Sequence, residues 1–294
     1  MRLALIFDKV RADTTGIYFE RACQTLGISY DHWWLRDAGK IPAAYDLYLR
    51  IDHGDDYTTR LPDRLRPAVF YAIDTHLPHS WRKIRRLAGS CDLVFCAQAT
   101  AARQLHHGEW LPFACDPQLH GPQEGERVWD VAFVGTEGGV PRKFYLQLLR
   151  ERYPNSSIGS AEHTQMASIY SQARVGFNYS IANDVNMRIF EVLAANILLV
   201  TNVLSSDDLG RLGLEDRRHL ICYRTPRELV GLIDYFLVHP AERASIAREG
   251  FRVVHERHTY VHRLQQVLTC VAQRLRVPLP DSLTPQELLT CASS

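Results

Sequence analysis

Short apolar runs of four to six residues recur along the chain and alternate with longer stretches in which apolar positions are spaced three or four apart. Runs such as residues 3–7 and 69–73 have the length of buried strands, whereas stretches such as 226–239 have the period of a helix. Strands that alternate with helices are typical of parallel sheets with crossover helices. The pattern therefore predicts an α/β fold made of two Rossmann-like, doubly wound domains.

The alternation is interrupted once, in the proline- and glycine-containing segment that precedes residue 131. We predict an N-terminal domain over 1–117, a linker over 118–130, a C-terminal domain over 131–277 and a tail over 278–294. The tail contains a short helical stretch at 285–290 and either packs back on the first domain or is loose. Ligands of open α/β folds bind beyond the carboxyl ends of the strands, so we expect two domains that face each other across a cleft.

In the first half, the predicted strands and helices are strands 3–7, 28–33, 46–51, 69–73, 93–97 and 110–113 and helices 16–26, 79–89 and 99–107. In the second half, they are strands 131–134, near 157, 175–178, 197–201 and 220–223 and helices 141–153, 163–173, 187–195, 226–239, 241–255 and 259–276.

Composition narrows the class of protein only slightly. The formal net charge of +1 gives no general attraction for nucleic acid or anionic lipid. The basic run from Arg82 to Arg86 could still form a local basic patch. Apolar runs are too short for a membrane span or a secretory signal. Seven cysteines without a C-x-x-C pair form neither a disulfide framework nor a zinc-ribbon spacing, which favours a reducing cytoplasm.

The most informative stretch is NDVNMRIFEVLAANILLVTN at 183–202, where a polar loop opens a helix that leads into a buried strand. Asn186 is placed to cap that helix through its side-chain oxygen, and the amides of a helix start suit a phosphate. Arg188 adds a guanidinium that can grip a diphosphate, and Glu191 can accept two hydrogen bonds from a ribose diol. The alternative is a capped, solvated helix face with an Arg–Glu pair at i, i+3.

These residues resemble the donor-binding stretch of GT-B glycosyltransferases, and the resemblance extends over about 150 residues to the CgeB-like (spore maturation protein B-like) glycosyltransferases. The matching pieces are FVGT at 133–136, Arg142, SSIG at 156–159, Tyr170, FNYS at 177–180, N-x-R-x-FE at 186–191, LLVTN at 198–202, TPRELVGLIDYFLVHP at 225–240 and HTYVHR at 258–263.

The resemblance implies a transferase, of the hexosyltransferase type, that moves a sugar from a UDP-, GDP- or dTDP-linked donor to an acceptor hydroxyl. Gly135 and Thr136 would lie near the diphosphate, with Arg188 on its charge and Glu191 on the ribose. The full predicted donor set is Gly135, Thr136, Arg142, Tyr179, Asn183, Asn186, Arg188, Phe190 and Glu191. Asn183 stands where many retaining GT-B enzymes have a glutamate, so the donor sugar and the stereochemical outcome stay open.

In the first half, the loop after the first strand leads into a helix at residue 16. In GT-B enzymes this loop approaches the acceptor or the donor phosphate, which makes Arg11, Thr15 and Gly16 candidates. Helix capping without a ligand is the alternative for the threonines at 14 and 15.

Two later strands of the first half each end in a cluster of Asp and His. We predict Asp74 and His76, then His53, as catalytic groups that deprotonate or orient an acceptor hydroxyl; loop capping is the alternative. The clusters hold enough ligands for a metal, namely Asp52, His53, Asp55, Asp56, Asp74, His76 and His79, but in no metal-binding spacing. GT-B enzymes generally need no metal for donor binding, so a metal-independent enzyme without a cofactor is predicted.

Two rival functions stay open at this stage. One is a nucleotide-sugar epimerase or a phosphorylase on the same fold. The other is a catalytically degenerate GT-B protein that binds a nucleotide sugar or serves as a scaffold. The predicted partners are a nucleotide sugar and an acceptor molecule, with no specific nucleic acid and no transmembrane segment, and the oligomeric state is unassigned.

Overall fold

The computed structural model describes residues 1–54, 57–204, 207–280 and 283. The chain divides into two compact units, the first comprising Met1–Pro112 and the chain from Tyr260 onward, the second Phe113–Thr259. Each unit has its own parallel sheet. The two sheets agree with the α/β class that the alternation of strand and helix patterns predicts.

The first unit contains a sheet of six parallel strands in the order β2-β1-β3-β4-β5-β6. The strands are β1 Arg2–Ile6, β2 Ser29–Trp33, β3 Leu47–Ile51, β4 Ala68–Ala72, β5 Leu93–Cys96 and β6 Gly108–Trp110. The helices are α1 Thr15–Leu26, α2 Pro78–Ala88 and α3 Ala99–Ala102, with a 3-10 helix at Leu35–Lys40. Every residue of β3 and β4 is buried, as expected for central strands covered on both faces.

The second unit contains a sheet of five parallel strands in the order β11-β10-β9-β7-β8. The strands are β7 Trp129–Val134, β8 Ser156–Gly159, β9 Ala173–Asn178, β10 Leu198–Asn202 and β11 Ile221–Tyr223. The helices are α4 Pro117–His120, α5 Val140–Arg152, α6 Met166–Ser171, α7 Met187–Ala194, α8 Asp208–Arg211, α9 Pro226–Val238 and α10 Pro240–Arg257, with a 3-10 helix at His163–Gln165 before α6.

The last helix, α11 (Tyr260–Leu275), belongs to the first unit, although the sequence predicted it in the second domain. It packs against α1, where the rings of Tyr18 and Tyr260 stack with their centroids 4.6 Å apart. Arg263 is 1% exposed and donates from Nε to the carbonyl oxygen of Pro112 at 2.8 Å. Sequence periodicity identifies such a helix but carries no information on which sheet its apolar face will cover.

The two sheets share one strand order. Numbered within its own unit, each sheet begins 2-1-3-4-5, so the chain reverses its direction of strand addition between β1 and β3 in one and between β7 and β9 in the other. Ligands of open parallel sheets bind beyond the carboxyl ends of the strands at this switch point. The topology therefore indicates one equivalent position in each unit.

The segment predicted as a linker, 118–130, is bound to the second unit. Arg127 donates to the carbonyl oxygens of Ala173 and Asn196 at 2.9 and 3.0 Å, and the amide of Gln123 donates to Ser171 Oγ at 2.9 Å. Through these contacts the segment packs on the second unit instead of forming a separate linker. Val277, just before the predicted tail, and Leu283 within it are buried in the first unit. The predicted helix at 285–290 lies outside the described residues.

Two predicted helices are shorter in the structure than in the sequence pattern. The predicted helix 99–107 ends as α3 at Ala102, after which the amides of Gln104, Leu105 and Gly108 each bond to the carbonyl three residues earlier. The predicted helix 163–173 starts as the 3-10 turn and ends at Ser171. Tight i to i+3 turns replace α-helical bonding after Ala102 in the first case and before Met166 in the second.

Candidate functional site

The switch point of the second sheet is formed by the ends of β7 and β9 and by the start of α7. β7 ends at Val134 and is followed by Gly135, while β9 ends at Asn178. The predicted donor motif, residues 186–191, begins α7 directly beside them. The fold thus brings together pieces that lie up to about fifty residues apart in sequence.

Arg188 spans this switch point. Its Nε donates to the carbonyl oxygen of Val134 at 2.9 Å, and its Nη1 donates to Oδ1 of Asn178 at 3.3 Å. The guanidinium carbon lies 4.3 Å from the centroid of the Phe133 ring, within the range of a cation–π contact. Arg188 is therefore held by both strand ends and by an aromatic face, with no carboxylate in these contacts.

Arg142, on the first turn of α5, places a second guanidinium nearby. It donates from Nε to the carbonyl oxygen of Tyr179 at 3.1 Å and from Nη1 to that of Thr136 at 3.3 Å. Burial, and then the neighbouring charge of Arg188, lower the pKa of Arg142 to about 10, although Asp184 opposes this shift. Two guanidiniums that lie this close together form a place where an anion would be stabilised.

Gly135 is required where β7 leaves the sheet. Its φ of +142° is one that L side chains rarely adopt, and an added Cβ would lie 2.2 Å from Nη2 of Arg188. Only glycine leaves room for the guanidinium at this point. Thr136, the next residue, is exposed, and its carbonyl oxygen is one of the acceptors of Arg142.

A network of amide side chains organises the loop between β9 and α7. Asn178 is fully buried and donates from Nδ2 to Thr201 Oγ1 at 3.0 Å. Asn202 accepts from the Ser180 amide at 2.7 Å and donates to Oδ1 of Asn183 at 2.9 Å. Asn183 itself has φ +52°, a left-handed conformation that asparagine tolerates. Asn183 is thus fixed in a tight turn of this loop.

Asn186 occupies the N-cap position of α7, as predicted, but its side chain does not perform the predicted capping. Its Nδ2 donates to Oδ1 of Asn178 at 3.1 Å, which turns the side chain toward the strand rather than toward the helix amides. Within the described residues its Oδ1 is buried without a hydrogen-bond partner. The capping prediction was wrong because Asn178, a tertiary partner, competes for the amide.

Glu191 and Phe190 follow on α7. Glu191 is 8% exposed, and its charge is among the causes that raise the pKa of Tyr170 to about 12, after burial itself. The hydroxyl of Tyr170 accepts from the Val134 amide at 3.1 Å and also interacts with Arg188, so Tyr170 contacts both the end of β7 and the guanidinium. Phe190 is fully buried with its ring 5.7 Å from that of His258, so its side chain packs in the core and presents no surface to a donor.

Tyr179, the remaining residue of the predicted donor set, lies at the edge of the aromatic part of the core. Its ring stacks on that of Tyr145 with centroids 4.9 Å apart. Its contribution to the site is the carbonyl oxygen that fixes Arg142.

The switch point of the first sheet has the opposite charge. Asp52 follows β3, is fully buried, and accepts from the amides of Gly54 and Ile73 at 2.8 and 2.9 Å. The hydroxyl of Tyr57 lies 3.0 Å from both of its carboxylate oxygens. Asp52 therefore ties the loop after β3 to the loop after β4.

Two of the three predicted catalytic residues, His53 and Asp74, lie beside this carboxylate. The Nε2 of His53 is 3.7 Å from Oδ2 of Asp8, with 7% of the His53 side chain exposed. Asp74 Oδ2 lies 3.5 Å from the Tyr57 hydroxyl, and His76 is exposed. His53 and Asp74 thus share the edge of the sheet with Asp8, a carboxylate that the sequence analysis did not select.

The loop after β1 contains the remaining candidates. Arg11 is exposed and pairs with Asp13 at 3.2 Å, and Thr15 is buried at the start of α1. Thr14 holds the N-cap position but donates its hydroxyl to the carbonyl oxygen of Arg11 at 2.8 Å. Gly16 is needed for packing, because a Cβ there would lie 2.3 Å from the Phe7 ring.

Asp55 and Asp56, two of the possible metal ligands, lie outside the described residues. Across 1–54, 57–204, 207–280 and 283, no group of three or more His, Cys, Asp or Glu side chains is arranged to hold a metal ion. In the same residues no helix combines the length and the apolar character that crossing a bilayer needs.

Comparison with known proteins decides the family. The model of the family described as "Glycosyl transferase-like" matches residues 119–269, just over half of the chain. This range contains Arg142 and Arg188. The chain belongs to this family, so the predicted activity, that of a glycosyltransferase, is confirmed. None of the curated proteins matches the chain in sequence.

Solved structures show how widely the fold of this glycosyltransferase recurs. HepE of Anabaena, solved in complex with UDP-glucose, has 12% identity and a TM-score of 0.65 over 92% of this chain and 99% of its own. The T4 phage β-glucosyltransferase has 12% identity and a TM-score of 0.59 over 95% of this chain and all of its own. Sucrose-phosphate synthase of Thermosynechococcus elongatus has 12% identity and a TM-score of 0.64 over 95% and 100%. At this identity the likeness shows the fold, and it confirms the predicted GT-B class.

Sequence reasoning missed several residues of the site. Asn178, Asn202 and Asp8 were assigned no role in binding or catalysis, and Asp52 was considered only as a possible metal ligand. Each is a polar residue at, or within two residues of, the end of an apolar strand. That position is itself a usable signal, because the carboxyl ends of parallel strands meet at one edge of a sheet.

Proposed function

We propose that the chain is a CgeB-like glycosyltransferase that transfers a hexose from a nucleotide-diphosphate sugar to an acceptor hydroxyl. The observation that carries the donor assignment is the pair of guanidiniums, Arg142 and Arg188, at the switch point of the second sheet. The ordered sequence pieces from 133–136 to 258–263 support the CgeB-like subfamily.

The two arginines suit a diphosphate on chemical grounds. Each is fixed by main-chain carbonyl oxygens, so the ligand does not have to order a flexible side chain. Positive charge placed before the reaction stabilises the charge that develops on the departing diphosphate. In this proposal the guanidiniums neutralise the diphosphate, and neither a metal nor a cofactor takes part.

The remaining donor contacts follow from the same geometry. Glu191, one turn into α7, would accept hydrogen bonds from the ribose hydroxyls. The buried Oδ1 of Asn186, without a hydrogen-bond partner among the described residues, would accept a hydrogen bond from a hydroxyl of the donor, because a buried acceptor is costly to leave unsatisfied. Asn183, Thr136 and Gly135 complete the lining of the loops on either side.

The acceptor would be activated by the first unit. His53 has a carboxylate, Asp8, within 3.7 Å of its Nε2, which would orient the imidazole for a role as general base. Asp74 is the second candidate because Tyr57 and the loop held by Asp52 fix its position. His76, Arg11, Thr15 and Gly16 remain proposals for the acceptor side, with Gly16 acting through packing.

A cytoplasmic location is also proposed. Among the described residues the cysteines Cys23, Cys91, Cys96, Cys115, Cys222 and Cys270 are all free thiols. Burial raises the pKa of Cys23 and of Cys96 to about 12, so both stay protonated at neutral pH. Free thiols of this kind suit a reducing compartment.

The test is thermal stabilisation of the intact protein by UDP, GDP, dTDP and CDP in the presence of EDTA. We expect one nucleotide to raise the melting temperature strongly, and we expect Arg188→Ala and Glu191→Gln to abolish that shift. Arg248→Ala, an exposed arginine of α10 in the same unit, is the matched control and should keep it. No shift with any nucleotide, or an equal loss in the control, would contradict the donor site.

Turnover separates an enzyme from a degenerate binding protein. We expect slow release of free sugar from the donor that matches the stabilising nucleotide, with no acceptor added. Binding without any release or transfer would favour the non-catalytic alternative, while interconversion of donor sugars would favour an epimerase.

A further inference from the structure

The helix α2 of the first unit separates apolar and basic residues onto two faces. Its buried side chains are Ile84, Leu87 and Ala88. On the remaining surface Arg82, Arg85 and Arg86 are exposed and Lys83 is half-buried. None of the eleven residues of the helix, PHSWRKIRRLA, is acidic.

In the described part of the chain, none of these four basic side chains forms an ion pair. On α10, by contrast, Arg252 pairs with both Glu249 and Glu256. A chain with a formal net charge of +1 therefore concentrates uncompensated positive charge on one helix.

The spacing places the charges together. Arg82 is three and four residues from Arg85 and Arg86, which puts neighbouring Cβ atoms about 5–6 Å apart on one face of the helix. A convex, exposed helix face cannot enclose a small anion, so its partner is an extended one. A bilayer surface, with a dense layer of headgroups, meets such a face at several points at once.

Apolar side chains accompany the charge. Leu77, directly before α2, is 43% exposed, and Val10, in the loop after β1, is 61% exposed. Both follow strands of the first sheet and so lie at its carboxyl edge, where α2 begins. Cationic side chains beside exposed apolar ones are the combination that interfacial helices use at membranes.

We propose that the basic face of α2, formed by Arg82, Lys83, Arg85 and Arg86, docks the first unit on a bilayer that contains anionic lipid. A single-stranded nucleic acid would need aromatic side chains on which bases stack. The only aromatic residue of α2, Trp81, donates from Nε1 to Gln104 at 3.2 Å and is half-buried. The proposal does not rest on the donor site or on catalysis.

The expected strength follows from the charges. Each basic side chain near an anionic membrane contributes about a fivefold increase in partitioning, which corresponds to about 1 kcal/mol. Two reversed charges should therefore lower partitioning by at least about 25-fold. Added salt should lower it as well, because exposed charges are screened.

The experiment is flotation of the intact protein with vesicles of phosphatidylcholine alone or mixed with phosphatidylglycerol. We expect binding only to the mixed vesicles, decreasing with salt, and lost in R82E/R86E. The matched control is R227E/R248E, which makes the same change of charge at two exposed arginines of α9 and α10. Thermal unfolding of both variants would verify that each is folded.

Three outcomes would overturn the proposal. Equal binding to both kinds of vesicle would show that charge is not involved, and equal loss in both variants would show that net charge alone matters. Binding to duplex DNA or heparin without binding to anionic vesicles would assign the face to a soluble polyanion instead.

Discussion

The two units have the same strand order around the switch point but place opposite chemistry there. The second unit holds two guanidiniums, Arg142 and Arg188, among asparagine side chains. The first unit holds the carboxylates Asp8 and Asp52 beside His53. One topology thus carries two guanidiniums at this position in one sheet and two carboxylates with a histidine in the other.

This difference shows that the fold determines where a site lies and the loop residues determine what it does. In both positions a polar side chain is fixed by hydrogen bonds to groups at the ends of two strands. Arg188 donates to the carbonyl oxygen at the end of β7 and to the side chain at the end of β9. Asp52 accepts from amides in the loops after β3 and β4. Oxygen acceptors at the strand ends of the second unit hold a positively charged side chain, whereas amide donors in the loops of the first unit hold a negatively charged one.

The largest expected effect is loss of the positive charge at the second switch point. Arg188→Ala should lower kcat/KM by about 10²–10³-fold, because a preorganised donor to the departing diphosphate is removed. Steady-state kinetics with the stabilising donor would measure this, with Arg248→Ala as the control. An unchanged kcat/KM would contradict the role of the second unit in donor binding.

A single added methyl group at residue 135 should displace the guanidinium of Arg188 without changing any charge. Gly135→Ala forces an unfavourable φ and directs a Cβ onto Nη2 of Arg188, so we expect a loss on the order of 10²-fold in kcat/KM. Gly159→Ala is the matched control, because a Cβ there meets nothing within 4 Å and its φ is not in the left-handed region. Equal activities of the two variants would show that the position of Arg188 is not critical.

The corresponding change in the first unit should reduce stability. Asp52→Asn places an amide NH₂ against donors that now meet carboxylate oxygens, which should lower the free energy of unfolding by about 2–3 kcal/mol. Urea unfolding would measure this, and Asp63→Asn, at a fully exposed side chain, should change it little. If both variants are equally stable, Asp52 does not hold the loops.

Arg142 should show that function and stability oppose each other in the second unit. Burial and Arg188 lower the pKa of Arg142 to about 10, so the folded protein disfavours its charged form relative to an exposed arginine. Arg142→Gln should therefore raise the ligand-free stability by about 0.5–1 kcal/mol. It should also weaken nucleotide binding by about tenfold, the equivalent of about 1.4 kcal/mol. Thermal unfolding and titration calorimetry would measure the two effects, and a decrease in both would contradict the repulsion.

The smallest effect should be common to both units. Burial lowers the pKa of His32 and His262 in the first unit and of His219 and His255 in the second. The unfolded chain then binds more protons below about pH 6.5, so stability falls as the pH drops through that value, by roughly 1 kcal/mol or less per histidine once solvent screening is allowed for. Unfolding followed from about pH 7.5 to about pH 5.5 would show it. Stability that rises on acidification would contradict the sign.

Much of this site could be predicted from the sequence because local pattern and spacing are enough for it. The helix α7 and the strand β10 within the stretch from 183 to 202 lie close to their predicted bounds, and Arg188 and Glu191 are both on α7. The partners of Arg188 could not be predicted in this way. Val134 and Asn178 are 54 and 10 residues away, and only the pairing of β7 with β9 makes them neighbours.

The sequence by itself determined the α/β class and the two sheets, since periodicity and strand length are local properties that burial enforces. Only the tertiary structure decided that α11 belongs to the first unit, that Asn186 turns toward Asn178, and that Phe190 is core. Each of these depends on which distant residue competes for a side chain. That competition is settled by packing across the sheet, and no pattern along the chain encodes it.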